Sequence, residues 1–329
     1  MLNFIKKSFT LIFLFTGIIS AQTQNYNPLS IQFDFKINKV SLTVHDAERN
    51  REIPLMVYLP SVKTPAPVIL FSHGLGGTYE AYTYLGEHWS ARGYICIFIQ
   101  HHGSDDLIWK DKQPSERLKA LKEAAGLPNF LLRVKDVSVV IDYLEKFNND
   151  KSNPLFNMMN LDKIGMAGHS FGAVTTQAVS GEAFRRGISF AEKRIKAAFA
   201  MSPSSPENGN NLAEAFSKVK IPWMVMTGTK DIVPSLGNLD AKSRLAVFEN
   251  LPAGDKYEIV LYNGEHSAFT NRALPGDKEK RNPNHHKVIL GLSTAFWDAY
   301  LYKNNFAKDW LKKEGPFALL EKNDEWKNK

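Results

Sequence analysis

The chain has a single cysteine, Cys96, among 329 residues. No intrachain disulfide can form, and the fold must hold through burial alone. Cys96 lies within Tyr94–Ile99, a short continuous apolar run typical of a buried strand, and reads as core packing rather than chemistry. There is no internal repeat and no low-complexity segment, which argues against solenoids and compositionally disordered chains. Charge of one sign is also scarce in excess: 41 Lys and Arg against 34 Asp and Glu leave a net charge of +7. That surplus is spread along the chain, with no basic block interleaved with aromatics, so nucleic acid is not an expected partner. Long hydrophobic runs are missing except near the start. Phe9 to Ile19 is shorter than the roughly 20 residues of a membrane span. Lys6 and Lys7 precede it and Ser20-Ala21 follow, which reads as a secretory signal over residues 1–21. The expectation is a secreted or periplasmic mature chain, with no stable membrane insertion after signal removal. No cysteine follows the apolar core, which argues against a lipoprotein anchor.

What is present is an alternation of strand-like and helix-like segments. Ile31–Val44 and Glu52–Leu59 alternate in part and are joined by a polar turn at 46–50, as an edge hairpin would be. Val68–Phe71 and Tyr94–Ile99 are continuous apolar runs of the kind found in parallel sheets covered on both faces, with a helix expected over Tyr79–Arg92 between them. Phe130, Val134, Val137, Ile141 and Leu144 step by four and three, which makes one helical stripe. Strands at Ile164–Ala167, Ala197–Met201, Trp223–Met226 and Glu258–Leu261, and a last core helix at Val288–Tyr302, complete the pattern. The expected fold class is α/β, a mostly parallel central sheet with helices on both faces, in one domain over residues 22–329. The lysine-rich tail after Asn304 carries Phe306, Trp310, Leu311 and Phe317 among its charges and reads as an amphipathic segment folded back on the domain.

The chemistry centres on Gly168-His169-Ser170-Phe171-Gly172, which closes one apolar run and opens a segment of small residues. That is the pattern of a nucleophile elbow, with Ser170 on a sharp strand-to-helix turn. Gly172 is expected to let the helix pack closely, so that a bulky replacement cuts activity without unfolding the chain. A serine hydroxyl needs a base to take its proton, and the base needs an acid to orient it. The chain order Ser, acid, His is met by Asp231, after Ile221–Lys230, and His266, after Tyr257–Tyr262. Asp240 and Asp255 lie in the same interval, but neither follows a strand-like run directly. The glycine-rich loop Gly74-Leu75-Gly76-Gly77 follows an early strand, and the backbone amides of Leu75 and Phe171 are assigned to an oxyanion hole.

These segments resemble an α/β-hydrolase of the platelet-activating-factor acetylhydrolase and dienelactone-hydrolase-like serine esterase group. Phe71–Gly77, Gln100–Asp106 and Gly168–Gly172 carry the resemblance, which extends over residues 50–300. It implies the α/β-hydrolase fold, a serine nucleophile at 170 and oxyanion donors at 75 and 171. The animal members carry their acid after the strand that follows the elbow helix. Here that strand runs into Ser202-Pro203, so the acid is expected on the next one, at Asp231. Dienelactone hydrolases use cysteine where this chain has Ser170. The aromatic clamp of polyester hydrolases is absent, with Leu75 and Ser202-Pro203 in its place.

The stretch 101–128, with Trp109 and a polar helix over Pro114–Ala125, reads as a lid or specificity insertion at the catalytic edge. Trp109, His73 and His169 are the expected pocket residues. His101-His102 with Asp105-Asp106, and His285-His286, have metal-ligand chemistry, but a serine triad needs no metal and no cofactor is expected. The reading is a serine carboxylic-ester hydrolase working through an acyl-enzyme on a small-molecule or lipid ester. A peptidase or amidase, a polyester hydrolase, and a non-catalytic binding protein on the same fold are the alternatives. The oligomeric state is open.

Overall fold

The computed structural model describes residues 26–31, 35–61, 65–205, 211–233, 241–274 and 276–329. The segment expected to be a signal, residues 1–21, and Asp240 lie outside these residues. Among the described residues nine strands form one sheet: β1 Asn38–Asp46, β2 Arg51–Leu59, β3 Ala66–Ser72, β4 Ile95–Ile99, β5 Met159–His169, β6 Ile195–Met201, β7 Trp223–Lys230, β8 Lys256–Glu265 and β9 Glu325–Asn328. Their order is β1-β2-β4-β3-β5-β6-β7-β8-β9. The six strands β3 to β8 run parallel, while β1, β2 and β9 pair antiparallel at the two edges. Eight α-helices are described: α1 Thr83–Ala91, α2 Pro114–Ala124, α3 Leu127–Asn149, α4 Phe171–Val179, α5 Leu212–Phe216, α6 Ala241–Asn250, α7 Pro283–Tyr300 and α8 Asn305–Lys312.

The period-2 alternation of the strands divides the core into two layers. Ile69 and Phe71 of β3 join Cys96 and Phe98 of β4 and Phe199 and Met201 of β6 beneath α1, α7 and α8. Val68 and Leu70 face the other way, with Ile95, Ile97 and Ile164, beneath α3 and the end of α4. Trp223 and Val225 of β7 meet α5 and α6 on that second side. A mostly parallel sheet with helices on both faces is what the sequence predicts, and Cys96 is fully buried, as expected.

Several boundaries move. β1 starts at Asn38 instead of Ile31, because its partner β2 ends at Leu59, opposite Asn38, and offers no ladder beyond it. Ile31 and Ile37 are accordingly exposed. The expected helix over Tyr79–Arg92 divides into a 3-10 turn, Tyr79–Tyr82, and α1, with Tyr82 outside helical geometry at φ −136°, ψ 31°. The tail folds back through α8, which buries Ala307 and Leu311, and then adds β9 to the free edge of β8. β9 is polar apart from Trp326, which stacks on Tyr257 at 5.6 Å, so its sequence carries almost no strand signal.

The placement of α4 governs the site. A Cβ built on Gly172 would lie 1.9 Å from the Ser72 carbonyl oxygen and 2.9 Å from that of His73. One on Gly168 would lie 2.2 Å from the Gly172 oxygen. Helix and strand ends thus touch backbone to backbone, a contact only glycine permits. This corrects the expectation that a bulky residue at 172 would spare stability, since no flexible side chain is there to yield. At the far end of α4 the Gln177 amide accepts from Ser204 N at 3.0 Å and donates to Ser204 O at 2.8 Å, which fixes the loop after β6. Gln177 also donates to Glu182, a nearly fully buried carboxyl that burial pushes up to about 8, against the pull of this hydrogen bond.

Two outcomes are expected. Gly172→Ala should lower stability by about 3 kcal/mol or more in denaturant unfolding, with activity falling alongside; a variant as stable as wild type would contradict the contact. For Glu182 the folded pKa is raised above the usual carboxyl value of 4.5, so its contribution is full below that value and is lost as pH rises towards about 8. Wild type should therefore lose stability relative to Glu182→Gln across that window, by up to roughly 1.4 kcal/mol per pH unit. Parallel stability curves for the two proteins would refute it.

Candidate active site

Ser170 joins β5 to α4 with φ 58° and ψ −118°, a left-handed conformation that a non-glycine residue adopts only where its surroundings hold it there. Those surroundings include the ends of neighbouring strands. Ser170 N donates to Met201 O at 2.9 Å at the end of β6, and Ser202 N donates to Met226 O at 2.7 Å in β7. The carboxyl ends of three adjacent parallel strands are thus tied in sequence, and the reactive side chains emerge from that edge.

His266 follows β8 and opens a short 3-10 turn, His266–Phe269. Its Nε2 is 2.9 Å from Ser170 Oγ and its Nδ1 is 2.7 Å from Asp231 Oδ1. The close carboxylate assigns the proton to Nδ1, which leaves Nε2 to accept from the serine hydroxyl. Asp231, just past β7, is fully buried. Ser202 Oγ and Thr227 Oγ1 donate to its Oδ2 at 2.6 and 2.9 Å, and Arg244 Nε lies 3.1 Å from Oδ1. Burial alone would raise this carboxyl, but the Arg244 charge, His266 and the Ser202 hydrogen bond outweigh it and hold the group well below the usual carboxylate range. Ser202, where the acid of related animal enzymes was expected to be missing, instead orients the acid on the next strand. Asp255 is engaged elsewhere, in ion pairs with Lys308 and Lys312.

The glycine loop lies against the serine: a Cβ on Gly74 would stand 3.3 Å from Ser170 Cβ. Leu75 follows it, and Phe171 is the first residue of α4, where amides have no helical acceptor. Neither the Leu75 nor the Phe171 amide donates a hydrogen bond among the described residues. The loop is braced by Gly76 N donating to Ser104 O at 2.8 Å and by Trp109 Nε1 donating to Gly76 O at 2.8 Å. A Cβ on Gly76 would fall within 2.8 Å of both Leu121 and Trp109, so the 101–128 stretch packs directly over this loop.

Two of the three expected pocket residues, His73 and His169, are buried. His73 is fully buried: its Nδ1 donates to Gly74 O at 2.7 Å and its Nε2 accepts from His101 N at 3.0 Å. His169 is buried beside the triad, its ring centroid 4.6 Å from that of His266, with Nδ1 bonded to the Tyr82 hydroxyl at 2.9 Å. Burial, and then the charges of Arg133 and His266 respectively, push both imidazoles well below their ordinary pKa, so they stay neutral. The His73 ring is fully used by bonds to backbone, whereas His169 bonds Tyr82 through Nδ1 and leaves its buried Nε2 without a hydrogen-bond partner among the described residues. Tyr82 in turn accepts from Gly74 N at 3.1 Å and links the Ser170 turn to the glycine loop.

The histidine pairs diverge. His101 bridges Ser72 Oγ at 2.8 Å and Asp136 at 2.9 Å, while His102 meets Asp105 at 2.6 Å. His285 and His286 bond the carbonyls of Tyr262 and Thr270. No group of three potential metal ligands occurs among the described residues. Sequence reasoning passed over Tyr82, Ser202, Thr227 and the two buried arginines, Arg133 and Arg244. A signal existed for the arginines. Arg133 lies three residues after Phe130 on a buried stripe, and Arg244 shares helical spacing with the buried Val247 and Leu251.

The chlorophyllase family model matches residues 31–193, which include Leu75, Ser170 and Phe171 but not Asp231 or His266. The platelet-activating factor acetylhydrolase of Canis lupus familiaris is 29% identical over 176 residues, covering 41% of this chain and 39% of that protein. The enzyme of the same name from Bos taurus is 30% identical over 152 residues, covering 37% and 34%. The chain thus matches little more than a third of the length of these relatives. The parallel sheet, the strained serine at the end of its fifth strand and these matches agree: the chain has the α/β-hydrolase fold and is similar to the esterases built on it.

Proposed function

We propose that the chain is a serine hydrolase of carboxylic esters, acting through an acyl-enzyme. The observation that carries this reading is the continuous relay Asp231–His266–Ser170, at 2.7 and 2.9 Å, ending beside two undonated amides. Ser170 Oγ attacks the ester carbonyl while His266 Nε2 takes its proton. The buried anion of Asp231 stabilises the imidazolium that forms. Negative charge developing on the carbonyl oxygen is met by the Leu75 and Phe171 N–H groups, which are preorganised by the loop and the helix start. His266 then protonates the leaving alkoxide, which departs as an alcohol. A water activated by the same imidazole cleaves the acyl-serine, releases the acid and restores Ser170.

The acetyl hydrolysis for which the relatives are named favours a short acyl group on a small or lipid ester. The 101–128 stretch, held to the oxyanion loop by Trp109, is assigned to shaping the acyl side of the site. Residues 1–21 are assigned to export. No described helix is long and apolar enough to cross a membrane.

A chain-length series of nitrophenyl esters tests the activity. Wild type should prefer short acyl chains, and Ser170→Ala should lose about 10³-fold or more in kcat. Equal rates in both proteins, or cleavage of amides but not esters, would overturn the reading. In the same assay Trp109→Ala should broaden the acyl-length profile; an unchanged profile would remove the 101–128 stretch from specificity.

A further inference from the structure

Arg133 is fully buried on α3, and no carboxylate lies within ion-pair distance of it among the described residues. Its three donor nitrogens instead reach three neutral acceptors on three separate segments. Nη2 donates to the His73 carbonyl, Nη1 to Ser104 Oγ at 2.9 Å and Nε to Thr175 Oγ1 at 3.0 Å. The guanidinium also lies over the Phe171 ring, 4.8 Å from its centroid.

Each acceptor belongs to a segment that supplies or braces an oxyanion donor. The His73 carbonyl lies two residues before Leu75. Ser104 carries the carbonyl that accepts from Gly76 N at 2.8 Å. Thr175 passes the bond on to Phe171 O at 3.0 Å, within the first turn of α4. We propose that Arg133 is the positioning residue of the oxyanion hole, one planar fork that sets the Leu75 and Phe171 amides at a fixed separation. This inference rests on the ester-hydrolase reading above.

The chemistry suits arginine and no other side chain. Five donors in a rigid plane can hold three diverging acceptors at once, which a lysine ammonium on a flexible stem cannot do with the same geometry. A buried charge without an ionic partner is expensive to keep, and a purely structural position would be served as well by packed apolar side chains. Fixing register between elements is the best-attested return for such a group. Because Arg133 touches neither the nucleophile nor the base, its loss should act on the transition state while leaving substrate binding in place.

The test compares wild type with Arg133→Met, Arg133→Lys and Thr175→Val, using the nitrophenyl ester that wild type hydrolyses best and a boronic acid that forms a tetrahedral adduct on the serine. In folded Arg133→Met, kcat should fall by about 10²-fold with KM little changed, and boronate affinity should fall in parallel. Arg133→Lys should recover only a minor part of the loss. Thr175→Val, which removes one tether at nearly constant volume, should lose roughly tenfold in kcat. If Arg133→Met does not fold, Thr175→Val carries the same test. Wild-type kcat and boronate affinity in folded variants, or a change confined to KM, would overturn the positioning role while the ester reading stands. A wild type inactive on all esters would remove the ester reading and this proposal with it.

Discussion

The backbone at Ser170 is the constraint on which the site depends. A serine at φ 58° is held only if its neighbours leave no alternative. Here the strand before it is tied to Met201, and the helix after it abuts the Ser72 carbonyl with no room for a Cβ at Gly172. That single close contact sets where Oγ emerges, where the first free amide of α4 points and how near the Gly74 loop approaches. His266 and Asp231 come from later strands, but they are useful only because the sheet delivers them to the same edge.

Two buried guanidinium groups divide the support of that edge. Arg244 serves the acid: its Nε lies 3.1 Å from Asp231 Oδ1, the oxygen that also meets His266, and its Nη1 donates to the carbonyls of Ser202 and Pro203 at 2.8 and 3.0 Å. It therefore fixes the ends of β6 and β7 relative to each other and keeps the carboxylate charged. Arg133 serves the glycine loop and α4. Between them Tyr82 and His169 form a neutral bridge from the loop to the elbow. The residues that would do chemistry are few, but each is held by buried polar groups: Arg244 through the Asp231 carboxylate and backbone, Arg133 through backbone and neutral side chains. Such networks are costly unless every member is satisfied, and their value lies in specifying one arrangement.

Much of this was legible in the sequence because it is local. Continuous apolar runs marked β3, β4, β6 and β7, and the spacing of Phe130 to Leu144 marked α3. The glycines at 168 and 172 and the order of Ser170, Asp231 and His266 pointed to residues that the fold brings within hydrogen-bond reach. What was not legible depends on contacts between distant segments. β9 exists because the β8 edge is open, not because Glu325–Asn328 favours a strand. His73 and His169 have the chemistry of pocket residues, and only the packing of Tyr82 and His101 turns them inward. Arg133 and Arg244 share helical spacing with apolar residues, but the acceptors they meet are set only when their helices are laid on the sheet.

The central claim is that Ser170, and no other residue, is the nucleophile made reactive by this geometry. Intact-mass analysis after incubation with a fluorophosphonate, followed by peptide mapping, tests it most directly. The account predicts a single phosphonyl addition on the peptide carrying Ser170, and no addition in folded His266→Ala on the same timescale. A folded wild type that takes no label, or one labelled at another residue, would contradict it.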